Sequence, residues 1–175
     1  MKRILILLLI IGLGPIIGGL YGIIHDQLTY TISPEYYTKF KFYQFGLLEE
    51  GQQPILLNTR LSVAIVGFMA TWWMGLPIGL ILGLVGLTIK ENKQMVKTTL
   101  KAFVLTTIVA FITGLIGLAY GKLVLADTGV NWWFPDNLID KRNFIAVGSM
   151  HNFSYIGGLT GLIAGIIYIV RQRKK

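Results

Sequence analysis

Two histidines, His25 and His151, are the side chains of this sequence best suited to chemistry near neutral pH, and no cysteine shares the task. Asp26 follows His25 directly, Glu35 lies in the same polar stretch, and Asn152 follows His151. Two histidines and a carboxylate with one position left open form a donor set for a catalytic zinc or a non-haem iron. Without a metal, a histidine–carboxylate pair can act as a general acid or base. The candidate catalytic and metal-ligating residues are therefore His25, His151, Asp26 and Glu35, with Asn152 nearby, and zinc or iron is the cofactor they would hold. No H-x-x-x-H, H-E-x-x-H or E-x-x-H spacing presents these groups on one helix face, so the fold must bring them together. The competing reading makes both histidines interfacial residues satisfied by backbone or lipid headgroups. Other nucleophiles lack context: Ser33, Ser149 and Ser154 stand in no G-x-S-x-G sequence, and no glycine-rich phosphate loop follows a strand.

The elements that must position these residues are read from hydropathy. A mean hydropathy of +0.65, 54% hydrophobic residues and only 14% charged ones exceed what a soluble core of 175 residues can hide. The apolar residues are clumped into four runs, predicting an all-α, four-span membrane bundle in a single domain, with spans at about 4–24, 61–89, 102–121 and 147–170. The first run, preceded by Lys2 and Arg3, could instead be a cleaved signal peptide, but it is long for one and its Gly18-Gly19-Leu20-Tyr21-Gly22 end offers no A-x-A site. Pro77 is expected to kink the second span.

Two polar loops, 25–60 and 122–146, join the spans at one end and are expected to form an aromatic-rich cap. Leu28, Tyr30 and Ile32 alternate with Gln27, Thr29 and Thr31 as in a short strand. Ser33 then suits an N-cap, Pro34 a first helical position and Gly46 a C-terminal stop, which predicts a short helix from Pro34 to about Phe45. That helix would pair Glu35 with Lys39 and align Tyr36, Phe40 and Tyr43. Asp26-Gln27 would hydrogen-bond the first loop, Glu49-Glu50 reads as a solvated turn, and Trp72-Trp73 and Trp132-Trp133-Phe134 read as interfacial anchors. Asn152-Phe153-Ser154 matches a glycosylation acceptor, but inside an expected helix.

Sidedness follows from the bases. Ten lie on the side of the termini and the 90–101 connection, and six on the side with the long loops, so both termini are expected in the cytoplasm and the loops outside a plasma membrane, by expectation a bacterial one. This distribution accounts for the net charge of +8 without a nucleic-acid partner and leaves membrane lipids as the expected contact of the basic tail. Glycines recur every four residues: Gly14, Gly18, Gly22; Gly75, Gly79, Gly83; Gly117, Gly121; Gly157, Gly161, Gly165. Such rows let helices approach closely, here within one bundle in preference to a homodimer or partner-protein interface.

By function, the first expectation is an accessory or binding protein whose outer cap, His25–Gly46 with loop 122–146, meets a lipid, a small ligand or a partner. The second is a small membrane metalloenzyme or acid/base enzyme using His25, His151, Asp26 and Glu35. A carrier comes third, disfavoured because the spans carry almost no ionisable residue between their ends.

Overall fold

Residues 2–49 and 58–173 are described by the structure, a computed structural model. Four helices in it are long and apolar enough to cross a membrane: α1 (Lys2–Ile32), α3 (Thr59–Gly86), α4 (Asn92–Thr128) and α5 (Lys141–Gln172). Between α1 and α3 a short helical segment, α2, runs through Pro34–Tyr36, a π-helical turn at Tyr37–Lys41, and Phe42–Gln44. A second π turn, Gly121–Leu125, lies near the end of α4. No strand occurs among the described residues. Glu50, in the expected turn Glu49-Glu50, lies outside the described residues.

The expected strand at 28–32 is instead the last part of α1. Buried His25, Asp26, Thr29 and Ser33 recur at three- to four-residue intervals, a helical spacing that outweighs the alternation of Leu28, Tyr30 and Ile32. Thr29 Oγ1 donates to the His25 carbonyl (3.1 Å) and Thr31 Oγ1 to that of Gln27 (2.9 Å), which ties the last turns to themselves. The helix stops before Pro34, where the residue preceding a proline leaves the helical region; Ser33 has φ −139° and makes no side-chain cap. Gly46 closes the segment at φ +68°, as its lack of a Cβ permits. The starts of the other long helices carry side-chain caps: Asn58 accepts from Leu61 N–H, Glu91 from Lys93 and Gln94 N–H, and Asp140 from Asn143 N–H. Pro77 sits inside α3 without ending it. Trp72 and Trp73 are exposed beside Thr71, which bonds Gly18; along α1 that is about 10 Å from His25 towards the middle of the bundle.

The glycine rows build two tight helix pairs. In α1–α3, a Cβ on Gly14 would collide with the Gly75 carbonyl, and one on Gly22 with the Gly67 carbonyl; Thr71 Oγ1 donates to the Gly18 carbonyl at 2.8 Å. In α4–α5, a Cβ on Gly157 would strike Ala110, and one on Gly161 the Thr106 backbone, while Thr106 Oγ1 donates to the Gly161 carbonyl at 3.1 Å. Every glycine of the rows named in the sequence meets a neighbour inside the bundle, Gly18 among them through Thr71 and Gly75.

The two pairs touch one another mainly through two apolar clusters. Near the Lys2 end, Ile10, Leu82, Met95, Phe103 and Ile169 pack together, and Arg3 donates to the carbonyls of Leu87 (2.9 Å) and Ile89 (2.5 Å), locking the α3–α4 turn to α1. At the opposite end, Tyr36, Tyr37, Phe42, Val63, Phe144 and Val147 form the second cluster. Outward faces of the long helices carry exposed Leu and Ile, among them Leu5, Leu20, Ile24, Ile108 and Ile163, as fits helices solvated by lipid.

Candidate metal centre between the helix pairs

Between the two clusters, His25 and Asp26 of α1 face His151 and Ser154 of α5. His25, Asp26 and His151 are 3%, 1% and 6% exposed, so they are shielded from bulk solvent. α1 is long enough for this placement. Its 31 residues span about 46 Å, against roughly 30 Å of hydrocarbon. His151 lies about 15 Å along α5 from its start at Lys141. The convergence of the two histidines at one depth, expected from span counting, is present: their ring centroids are 4.7 Å apart, edge to face.

One carboxylate oxygen is the hub. Asp26 Oδ1 lies 3.1 Å from His25 Nδ1 and 3.3 Å from His151 Nε2. His25 Nε2 is 3.1 Å from Ser154 Oγ, which can either donate or accept and so serves either tautomer at that nitrogen, while at Nδ1 the Asp26 carboxylate accepts a hydrogen bond from an N–H and a lone pair there would need a cation. His151 is more constrained. Its Nδ1 is 3.0 Å from the Val147 carbonyl, which only accepts, so Nδ1 carries the proton and Nε2 of the neutral ring is a lone pair. That lone pair faces the Asp26 carboxylate without hydrogen-bond geometry, and both His151 Nε2 and Asp26 Oδ2 are buried without a partner.

Two buried acceptors facing each other are costly unless a cation or a proton stands between them. The donor atoms of His25, Asp26 and His151 lie within 4.8 Å of one another, close enough to hold one metal ion. A tetrahedral zinc with bonds of about 2.0–2.1 Å has ligand-to-ligand edges of about 3.3 Å, matching the 3.1 and 3.3 Å seen here. The outer contacts suit the same role: Val147 C=O and Ser154 Oγ hold the far nitrogens of the two rings, the usual way of orienting histidine ligands.

Glu35, expected with this set, is not in it. Its carboxylate binds Lys39 Nζ (2.6 Å) and the backbone N–H groups of Ile139 (3.0 Å) and Asp140 (2.7 Å), and so pins loop 129–140 over α2. Partial burial raises its pKa, but Lys39 and the two N–H donors outweigh this and hold it below the usual carboxylate range. The Glu35–Lys39 pair is as the sequence predicts. Asn152 is exposed and turned away from the centre, and Asp26 belongs to the histidines while Gln27 alone serves the loop connection, through the Arg60 carbonyl (2.8 Å).

Sequence reasoning missed Ser154 and the rings that wall the centre. Ser154 is three residues after His151 and Tyr21 four before His25, so helical spacing alone could have found them. Tyr36 lies over His151 at 4.9 Å between centroids and also meets Phe144 at 5.0 Å, closing the centre from above. On the other side the centre opens into a cleft between the helix pairs, bounded by Tyr21, Ala70, Met74, Phe103, Thr107 and Tyr155. The cleft has a cavity volume of about 70 Å³. That leaves room for several waters, or for a ligand group on an open coordination position.

No protein-family model, curated protein or solved structure matches this chain.

Proposed function

We propose that this multi-pass membrane protein is a metal-dependent one, holding zinc or iron on His25, Asp26 and His151 with an open position turned to the cleft. The observation that carries the reading is the buried, unpartnered pair His151 Nε2 and Asp26 Oδ2, beside a hub oxygen at tetrahedral-edge distances from two imidazoles. A metal so placed would act as a Lewis acid, or would lower the pKa of a bound water, within a site screened from bulk solvent. The residues themselves supply the ligands, the orientation through Val147 and Ser154, and the exclusion of water by Tyr36 and Phe144. The excess of bases at the Lys2 and Gln172 end supports cytoplasmic termini, with the centre near the outer face of a plasma membrane.

A second reading, a binding protein acting through its cap, is favoured by the open groove between Phe40, Tyr43, Trp133 and Pro135, where Trp133 is 72% exposed.

The test is to purify the protein without a histidine tag, after growth with zinc, iron and copper, and to measure bound metals beside a His25→Ala/His151→Ala variant. One equivalent of metal per chain, absent from the variant, is the expected result. Metal-free protein under all three supplements overturns the metal reading and leaves Asp26 and the histidines as a proton-sharing set.

A further inference from the structure

We propose that the centre is reached sideways from the bilayer, through a groove between α1 and α4, by a neutral hydroxyl-headed amphiphile with a single apolar tail. The proposal rests on the reading of His25, Asp26 and His151 as a working centre and adds the class of molecule it receives.

The two helix pairs leave a seam where α1 faces α4. Leu20 and Ile24 of α1 and Val104, Ile108 and Ile112 of α4 line an open, almost wholly apolar groove along it. The groove shares its inner wall with the cleft: Ile17, Tyr21, His25, Phe103 and Thr107 border both. A molecule lying in the groove therefore has only these side chains between it and the centre.

Direction gives the orientation of the guest. Along α1 the groove runs from His25, the one imidazole or charged side chain in its lining, past Tyr21 to Ile17, eight residues or about 12 Å, and apart from the Tyr21 and Thr107 hydroxyls the rest of the wall is apolar. An amphiphile in that leaflet has the same polarity, with its head at the interface and its tail towards the midplane. The 12 Å matches the reach of roughly ten methylenes.

Charge and width select the head. No lysine or arginine lines the cleft or the groove, so a phosphate or carboxylate head would be buried without a protein cation beyond the metal. A hydroxyl head brings no charge. It supplies both an oxygen for an open metal position and a donor for Asp26 Oδ2, which lacks one. The narrow interior and the rings of Tyr21, Phe103 and Tyr155 suit an alkylated phenol or hydroquinone over a two-chain phospholipid head.

The test uses the full chain in lipid nanodiscs and a decyl-tailed hydroquinone, with its dimethyl ether and decanoate as comparison probes, by titration calorimetry. The hydroquinone is expected to bind one per chain, the ether about ten-fold or more weakly because it donates no hydrogen bond, and decanoate about ten-fold or more weakly to metal-free protein, where its charge has no partner. Thr107→Trp, and independently Ile17→Phe from the facing helix, should weaken hydroquinone binding by about ten-fold or more through loss of space, while metal content stays as in the parent. Leu115→Trp, outside the groove lining, should change neither. Equal binding of all three probes, or unaltered binding in both well-folded groove variants, overturns the proposal. Metal present with no hydroquinone binding sinks this inference alone. Groove-dependent binding to protein that holds no metal sinks the metal reading and leaves the lateral route standing.

Discussion

Replacing Ser154 by alanine separates a metal centre from a purely structural polar cluster. Ser154 Oγ holds His25 Nε2 at 3.1 Å across the seam between helix pairs and packs closely against Gly114, and alanine keeps the Cβ while removing only the hydroxyl. If His25 ligates through Nδ1, its Nε2–H loses its acceptor in a buried site, which costs about 1–3 kcal/mol. Because the bond orients the ligand, that cost falls on metal affinity, a reduction of about 10–100-fold for a lost outer-shell partner. The two figures agree, since each factor of ten is about 1.4 kcal/mol. The assay is a competitive zinc titration of Ser154→Ala and parent protein in detergent against a chelator of known affinity, with melting curves recorded with and without metal. The expected pattern is weaker zinc binding and a smaller metal-induced rise in melting midpoint, with the metal-free midpoint moving less. A metal-free midpoint that falls while zinc affinity stays equal to the parent's would refute the reasoning, because the serine would then be stabilising the bundle only.

Gly75→Ala forces a Cβ into the Gly14 carbonyl and Pro15 nitrogen and should lower the melting midpoint by an overpacking cost of about 1–3 kcal/mol or more, whereas Gly12→Ala, with nothing within 4 Å, should be near neutral in the same melts. Arg3→Met removes a charged donor from the Leu87 and Ile89 carbonyls and should cost about 1.5–3 kcal/mol, read as a lower midpoint with the metal affinity unchanged. Glu35 has a folded pKa below the unfolded one, so its pinning of loop 129–140 is fully present above the ordinary carboxylate value of about 4.3 and is lost as pH falls through the lower folded value. Hydrogen exchange at Ile139 and Asp140 should accelerate several-fold in Glu35→Gln at neutral pH, relative to the parent; equal protection in both proteins would remove Glu35 from this role.

The spans were legible because hydrocarbon demands about 20 apolar residues in a row, and each expected run lies largely inside one helix. Their ends were not, because hydropathy marks the bilayer and says little about where a helix stops. α4 begins at Asn92, capped by Glu91, well before the run at 102, and α3 ends at Gly86 although Leu87 and Ile89 are apolar; that turn is buried under Arg3 rather than helical. His25 and His151 could be brought together on paper since both lie about 20 residues from a basic end. Glu35 could not be excluded that way. Its partners are the backbone N–H groups of Ile139 and Asp140, about a hundred residues away, and no side-chain pattern announces a backbone donor. The reading of 28–32 as a strand failed because alternation over five residues is weak against the helical recurrence of Asp26, Thr29 and Ser33.

The glycine rows and the polar centre are two sides of one arrangement. Backbone-to-backbone contact at Gly14–Gly75 and Gly22–Gly67 makes α1–α3 a rigid unit, and Gly157–Ala110 and Gly161–Thr106 do the same for α4–α5. Small residues spent inside each pair are not available between pairs, so the surfaces left to meet are bulky and irregular, and they enclose a cleft instead of a seam without gaps. His25 and Asp26 ride on one unit, and His151 and Ser154 on the other. The polar cluster is thus the principal directed interaction spanning the cleft, and its geometry depends on how the two units sit. A cation bridging Asp26 and His151 would therefore fix the spacing of the pairs as well as fill two empty acceptor sites, while the apolar clusters at either end keep the units joined without it. Tight packing is confined to the two glycine-lined pairs, and the looser interface between them is the one that holds the buried polar cluster.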